Sequence, residues 1–436
     1  MKKSSIFISV LVASMMMSSL HAAWTVEEYN QNYCTHKITD GNWEIGVYKY
    51  SDDKWSLGKV VGQKGSSYIA GSGVLDLRTV EADCGVVLKV SNNRALENVA
   101  GMTEVYLPDS LESVDGYTFF SCTSLTNAVL GSGMKAVGEY MFYKCSSLQK
   151  VLLPEGIEEI KDGAFDLLRN LVMTQEDFPS TITTIRNCAF RQCSKVTGDL
   201  VFPNLTTFTG SYHFQGAGVT SFTAPKLENV PNAIFNDSKK ITKFVCSPNV
   251  TNIGYRAFQA SGLRDFYPSE LTKLKTLSEG AFYDCASLTN NFDLSQSELT
   301  YVPSTAFGNL VKVKNIKFPK TLTELARESI GFGYYKKSSL RAVWFMGPPP
   351  TIGENALNPN GGDIWLIVAG TGCAAAWEKS ENLIALEEGD AEKAMSLAVE
   401  LGVTGVKPIG KWTYQTGGAI HWVMKELSKA TVILVF

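Results

Sequence analysis

Histidine is scarce in this chain, with four residues in 436, and positive charge is not in excess, since 40 Lys and Arg stand against 43 Asp and Glu. Beyond His21 the histidines are His36, His213 and His421, far apart and without cysteine or carboxylate at zinc-ligand spacing, so no metal site is expected. The weakly acidic balance argues against nucleic acid as a partner. After the first 23 residues no apolar run approaches the roughly 20 residues needed to span a bilayer, so no transmembrane segment is expected there. Cofactor motifs are equally thin. Gly370-Thr371-Gly372-Cys373 follows an apolar strand and opens a helix, in the order of a dinucleotide fingerprint. The helix is too short, however, and the remaining residues cannot build the rest of such a sheet, so no cofactor is expected.

What the chain does have is a period. Leu96, Phe119, Phe142, Phe165, Phe190, Phe214, Phe235, Phe258, Phe282, Phe307, Ile330 and Leu357 recur roughly every 23 to 24 residues. A period of this length predicts a solenoid of about twelve coils, each too small to bury its own apolar side and dependent on its neighbours. The cleanest repeat places apolar residues at Leu148, Val151, Leu153, Ile157 and Ile160, with Pro154 between them and Ala164-Phe165 at the end. The V-x-L step alternates as a strand does, and the proline ends it because it has no N–H to offer the next strand. The expectation is a ribbon of parallel strands along the stack, with the phenylalanine filling the inside of each turn.

These repeats resemble the BspA-like leucine-rich repeat family of secreted and surface proteins. The resemblance rests on G-E-Y-M-F-Y-K-C-S-S-L from Gly138 to Leu148, I-K-D-G-A-F from Ile160 to Phe165, and P-P-T-I-G-E-N-A-L from Pro349 to Leu357. It covers roughly residues 86 to 380. It implies a leucine-rich repeat fold and a role in adhesion or recognition at a microbial surface, with no catalytic residues to carry over. A glycine, small residues and Trp377 look like that family's closing cap. The chain departs from the pattern at Phe165 and Phe235, which lack the cysteine three residues on, and at the irregular corner from Tyr212 to Gly216.

The ends complete the organisation. Residues 1–23, with Lys2, Lys3, the apolar stretch Ile6 to Val12 and small residues Ala22 and Ala23, read as a signal peptide, so the protein is expected to be secreted or at the cell surface. Residues 24–85, with Trp43, Trp55, Tyr48, Tyr50 and Tyr68, are expected to form a β-rich N-terminal cap, and residues 86–384 the solenoid with its closing cap. Residues 385–436 read as a small α+β module, with helical spacing through Ala391, Ala394, Leu397, Ala398 and Leu401 and strands at 411–414, 420–424 and 430–435.

Nine cysteines in an exported chain raise the question of disulfides. Cys122, Cys145, Cys193 and Cys285 share the slot three residues after an anchor, which favours a ladder of buried thiols, although adjacent coils would bring Cys122 and Cys145 near enough to bridge. Cys34 and Cys84 both fall in the N-terminal cap, where a disulfide would strengthen a small core. The pairs Glu158-Glu159 and Glu387-Glu388 sit in solvated corners without a cleft to separate their pKa values, so the chain is not expected to be an enzyme.

The functional signal lies on the outside of the strands. The middle residue of each V-x-L step faces outward, giving Tyr106, Val129, Leu152, Val201, Thr223, Val245, Tyr267, Asp293, Lys317 and Trp344, mostly apolar or aromatic. Beside it runs a polar column, Glu104, Asn127, Lys150, Asp199, Ser221, Lys243, Asp265, Asn291 and Asn315, closed by Ala342. An apolar stripe with a polar border has the composition of a recognition face, with Tyr106, Leu152, Val245, Tyr267, Lys317 and Trp344 as ligand-binding candidates. The same residue types also favour strands for packing reasons alone. The expected partner is an extracellular protein or polysaccharide. The alternatives are a self-associating structural component of the cell envelope and, more remotely, an enzyme working through residues 385–436.

Overall fold

The computed structural model describes residues 22–31, 34–51, 54–58, 69–289, 291–330, 339–340, 342–357, 365–368, 373–380, 383–400, 406–413 and 420–426. Most of the signal-peptide reading, Tyr68, Gly370-Thr371-Gly372 and the strand expected at 430–435 lie outside those residues. The chain divides into two compact units, Met1–Thr181 and Ile182–Phe436.

In the first unit, strands Thr25–Glu28, His36–Thr39, Glu44–Ser51 and Lys54–Leu57 pair antiparallel in succession. Lys54–Leu57 then pairs parallel with Leu88–Ser91, and that strand with Ser113–Val114, so the N-terminal sheet runs directly into the coils. A second sheet, the ribbon, aligns Gly73–Asp76, Met102–Tyr106, Asn127–Val129 and Lys150–Leu152 in parallel. Two tryptophans close its outer edge: the Trp43 indole N–H donates to Val74 O at 2.7 Å, and that of Trp24 to Asp76 O at 3.0 Å. An edge strand needs such cover because its backbone groups would otherwise be open to pairing. Gly71 is required here, since a Cβ on it would lie 2.4 Å from the Trp43 ring.

The anchors behave as their period demands. Phe119, Phe142 and Phe165 are fully buried, and the first two stack at 5.5 Å and 9°. Phe142 and Phe165 stack at 5.7 Å and 10°. The turn that holds each ring has left-handed residues two places before and two after it, such as Tyr117 and Ser121 around Phe119 or Tyr140 and Lys144 around Phe142. A left-handed conformation is unfavourable for residues with a Cβ. Here it is held by hydrogen bonds to the following coil, with the N–H groups of Tyr117, Phe119 and Ser121 donating to the carbonyls of Glu139, Met141 and Tyr143.

In the second unit the ribbon comes in two pieces. Thr197–Val201, Gly218–Ala224 and Lys243–Cys246 form one parallel sheet. The next coil touches that sheet through the isolated bridge Lys243↔Asp265 and then turns into the 3-10 helix Pro268–Glu270. Pairing resumes with Phe292–Asp293, Asn315–Phe318, Ala342–Phe345 and Trp365–Val368. Anchor rings remain stacked beneath the interruption, with Phe258 and Phe282 at 5.4 Å and Phe282 and Phe307 at 5.8 Å.

Ile420–Glu426 pairs parallel with Trp365–Val368 and antiparallel with Val406–Thr413, so this hairpin extends the ribbon sheet itself. Helix Asp390–Glu400 lies against Val406–Thr413, and Lys411 joins them through ion pairs to Asp390 at 2.6 Å and Glu387 at 3.3 Å. Trp377, on the short helix Cys373–Glu378, is buried against Phe345 and donates its indole N–H to Gly347 O at 3.2 Å.

No disulfide joins the described cysteines. Cys34 and Cys84, a candidate disulfide from sequence, are therefore unbridged; Cys84, at the end of the short helix Val80–Cys84, donates to Val80 O at 3.2 Å. The shared slot after the anchors has a specific role. Cys122 donates to Leu96 O at 3.1 Å, Cys145 to Phe119 O at 3.0 Å and Cys285 to Phe258 O at 2.9 Å, each reaching the anchor carbonyl of the preceding coil. Ser238 performs the same task towards Phe214 O at 2.9 Å, which explains why Phe235 needs no cysteine after it. Burial pushes the thiols of Cys122 and Cys285 up to about 12, so they are poor nucleophiles.

Candidate binding face

The outward column forms in register wherever the ribbon does. In the first unit Tyr106, Val129 and Leu152 align on neighbouring strands, all half-buried. In the second, Val201, Thr223 and Val245 align, as do Asp293, Lys317 and Trp344. In the flanking column Ala342 is fully buried and does not belong to the surface.

These positions are not equally available. The Tyr106 hydroxyl donates to Glu104 Oε2 at 2.7 Å, and the Arg78 guanidinium covers the ring at 4.4 Å while pairing with Asp76 at 2.5 Å. Burial and then the Glu104 carboxylate push the Tyr106 hydroxyl up to about 12, so it remains a neutral donor. Trp344 is covered in a similar way: Lys317 Nζ lies 5.4 Å from its ring centre and 3.4 Å from Asp293. Burial disfavours the Asp293 carboxylate, but hydrogen bonds from Ser295 and the Lys317 ammonium outweigh it and hold its pKa below the usual range.

Between these covered stretches of sequence the face is open. Tyr267 is 51% exposed, and Val201 is 43% exposed. Because the ribbon is interrupted there, a small cleft opens between Val245 and Tyr267, walled by Phe244, Pro248, Phe266 and Glu270, with a volume of about 30 Å³. That is room for a water or two, and suits the edge of a ligand better than an enclosed substrate. Of the six sequence candidates, Val245 and Tyr267 are thus brought onto one cleft, Lys317 and Trp344 onto each other, and Tyr106 and Leu152 onto one column separated by Val129.

Sequence reasoning missed a second aromatic surface, on the anchor turns of the first unit. Arg94 covers Tyr117 at 4.5 Å, Tyr117 stacks on Tyr140 at 5.1 Å, and Phe120 meets Tyr143 at 5.8 Å with Lys144 5.4 Å from the Phe120 ring. The signal was present, because these rings share slots two before and one after consecutive anchors. Their faces are already occupied by one another and by the cations, which marks the cluster as structural.

Among the described residues no group of three or more His, Cys, Asp or Glu is placed to hold a metal ion. No helix among them is long and apolar enough to cross a membrane.

The model of the BspA type leucine-rich repeat region matches residues 88–197, 168–289 and 268–359. Solved structures are similar as well. A leucine-rich repeat protein from Bacteroides ovatus is 16% identical with a TM-score of 0.45, over 71% of this chain and 92% of that one. A leucine-rich cell surface protein from Faecalibacterium prausnitzii is 17% identical with a TM-score of 0.36, over 78% and 96%. The pneumococcal vaccine antigen PcpA is 13% identical with a TM-score of 0.42, over 78% and 95%. No curated protein matches the chain. Twelve buried anchors delimit about 11 parallel-strand turns of β-solenoid. With the repeat model matching more than half of its length, the chain belongs to the BspA-type leucine-rich repeat family.

Proposed function

We propose that this is an exported protein that binds an extracellular protein or polysaccharide through the outer face of its ribbon, in adhesion or surface recognition. The observation that carries this reading is the exposed Tyr267 beside Val245, an aromatic anchor left uncovered at a cleft while comparable rings on the ribbon are covered. Family membership supports a binding role, and a leucine-rich repeat solenoid is not typically an enzyme. Residues 1–23 would be removed on export, residues 24–85 would cap the first coil, and residues 385–436 would close the last.

The test is a binding screen of the mature chain against matrix proteins and polysaccharides, followed by Tyr267→Ser and Val245→Ser. Both side chains face outward, so the melting temperature should hold while binding of the screened ligand falls at least tenfold. Unchanged binding would remove the ribbon face from the account.

A further inference from the structure

We infer that the open corner of the ribbon recognises an anionic polysaccharide, with Tyr267 stacking on a sugar ring and Lys240, Lys243 and Arg264 holding its carboxylates or sulfates. This rests on the reading of the ribbon as the contact face and names the ligand class.

Three exposed cations border the corner on one side. Lys240 lies on the approach to the strand Lys243–Cys246, Lys243 opens that strand two residues before Val245, and Arg264 lies on the next coil three residues before Tyr267. Among the described residues none of the three forms an ion pair, in contrast to the cations over Tyr106 and Trp344. The acids nearby offset them only in part. Asp237 faces Lys239 at 3.7 Å, and Asp265 is a single half-buried carboxylate bridged through its backbone to Lys243. Glu270 lies in the cleft wall beyond Tyr267 and is placed to accept hydrogen bonds from sugar hydroxyls.

The chemistry of the corner selects among ligands. Successive coils lie about 4.8 Å apart, so cations on neighbouring coils fall at a spacing that charged groups along one glycan chain can meet. An exposed tyrosine face offers apolar contact area to a sugar ring at low conformational cost, and its hydroxyl adds a polar contact. Cations without an ion-pair partner beside it attract polyanions over roughly a Debye length, even though the whole chain carries a formal charge of −3. A neutral glycan would leave the cations unused, and an acidic peptide would leave the ring without its sugar face.

The experiment measures binding of the full mature chain to immobilised heparin and polygalacturonate, with dextran as a neutral control and polyglutamate as an acidic peptide. Saturable binding is expected to heparin, to polygalacturonate or to both, falling roughly tenfold or more between 50 and 200 mM salt, as displacement of about three counterions requires. K240E/K243E/R264E should abolish it and Tyr267→Ser should weaken it several-fold, with circular-dichroism melting curves unchanged because all four side chains are exposed. Absence of binding to both polysaccharides, binding unaffected by the charge reversals, or equal or better binding to polyglutamate would each overturn the inference. If a protein ligand from the screen is lost on Tyr267→Ser but retained by the charge-reversal variant, the ribbon reading stands and the polysaccharide assignment fails.

Discussion

The strand that carries Tyr106 and the corner that carries Tyr267 present the same residue type at the same outward slot of the repeat. Their surroundings differ. Tyr106 is hydrogen-bonded to Glu104 and covered by Arg78, whereas Tyr267 is half exposed at a break in the sheet. The break arises because Pro268 follows Tyr267 directly and the chain enters a 3-10 turn where a regular coil would continue its strand. A covered ring contributes to stability, and an uncovered one is free to contribute to binding. Position in the repeat therefore says which way a side chain points, while its neighbours from adjacent coils decide whether it is available.

The comparison can be broken from beneath. Phe142 under the first ribbon and Phe258 beneath the open corner are both fully buried, so replacing either with alanine should cost roughly 3–5 kcal/mol in urea unfolding. A cost below about 1 kcal/mol for Phe258→Ala would mean that the core, as well as the ribbon, is interrupted at the corner.

A second difference is acid sensitivity. His213, in the irregular corner before Phe214, is fully buried, donates through Nε2 to Thr209 O at 2.9 Å and leaves Nδ1 without a partner. Burial lowers its pKa from 6.5 to about 4, against a smaller opposing effect of the Thr209 carbonyl. The folded state thus holds this group neutral while the unfolded chain takes up a proton. Stability from this residue is undiminished above about pH 6.5, falls as pH drops towards about 4, and levels off below it, a loss of roughly 3 kcal/mol in all. Urea midpoints across that range should lose most of this slope in His213→Ala, which restores the small residue that Phe165 and Phe190 have before them at Ala164 and Ala189. An unchanged slope would place the acid sensitivity elsewhere.

The finest distinction is between the tyrosines themselves. Tyr106→Ala removes a hydrogen bond to a carboxylate and a cation–π contact, and should cost roughly 1–2 kcal/mol. Tyr267→Ala should stay within about 0.5 kcal/mol, as exposed positions do. Equal costs in thermal unfolding would erase the distinction between covered and open rings.

Much of the architecture was legible in the sequence, because burying a ring every 23 to 24 residues is a local demand that each repeat states again. The twelve anchors are all buried, and the common cysteine slot reflected a real shared environment. The slot's purpose was not legible, since donation to the preceding anchor carbonyl depends on the distance between coils. Ser238 meets that need with a different side chain. The pairing suggested for Cys34 and Cys84 rested on their falling in one cap, which does not fix where their sulfurs point.

The sequence by itself determined the period, the inward residues and the outward column, because alternation along a strand and recurrence along the chain are one-dimensional properties. Only the tertiary structure decided that Arg78 covers Tyr106, that the C-terminal hairpin extends the ribbon sheet, and that the ribbon opens beside Tyr267. Each of these depends on residues from different parts of the chain meeting across neighbouring strands, where side-chain reach and hydrogen-bond partners rather than spacing set the outcome.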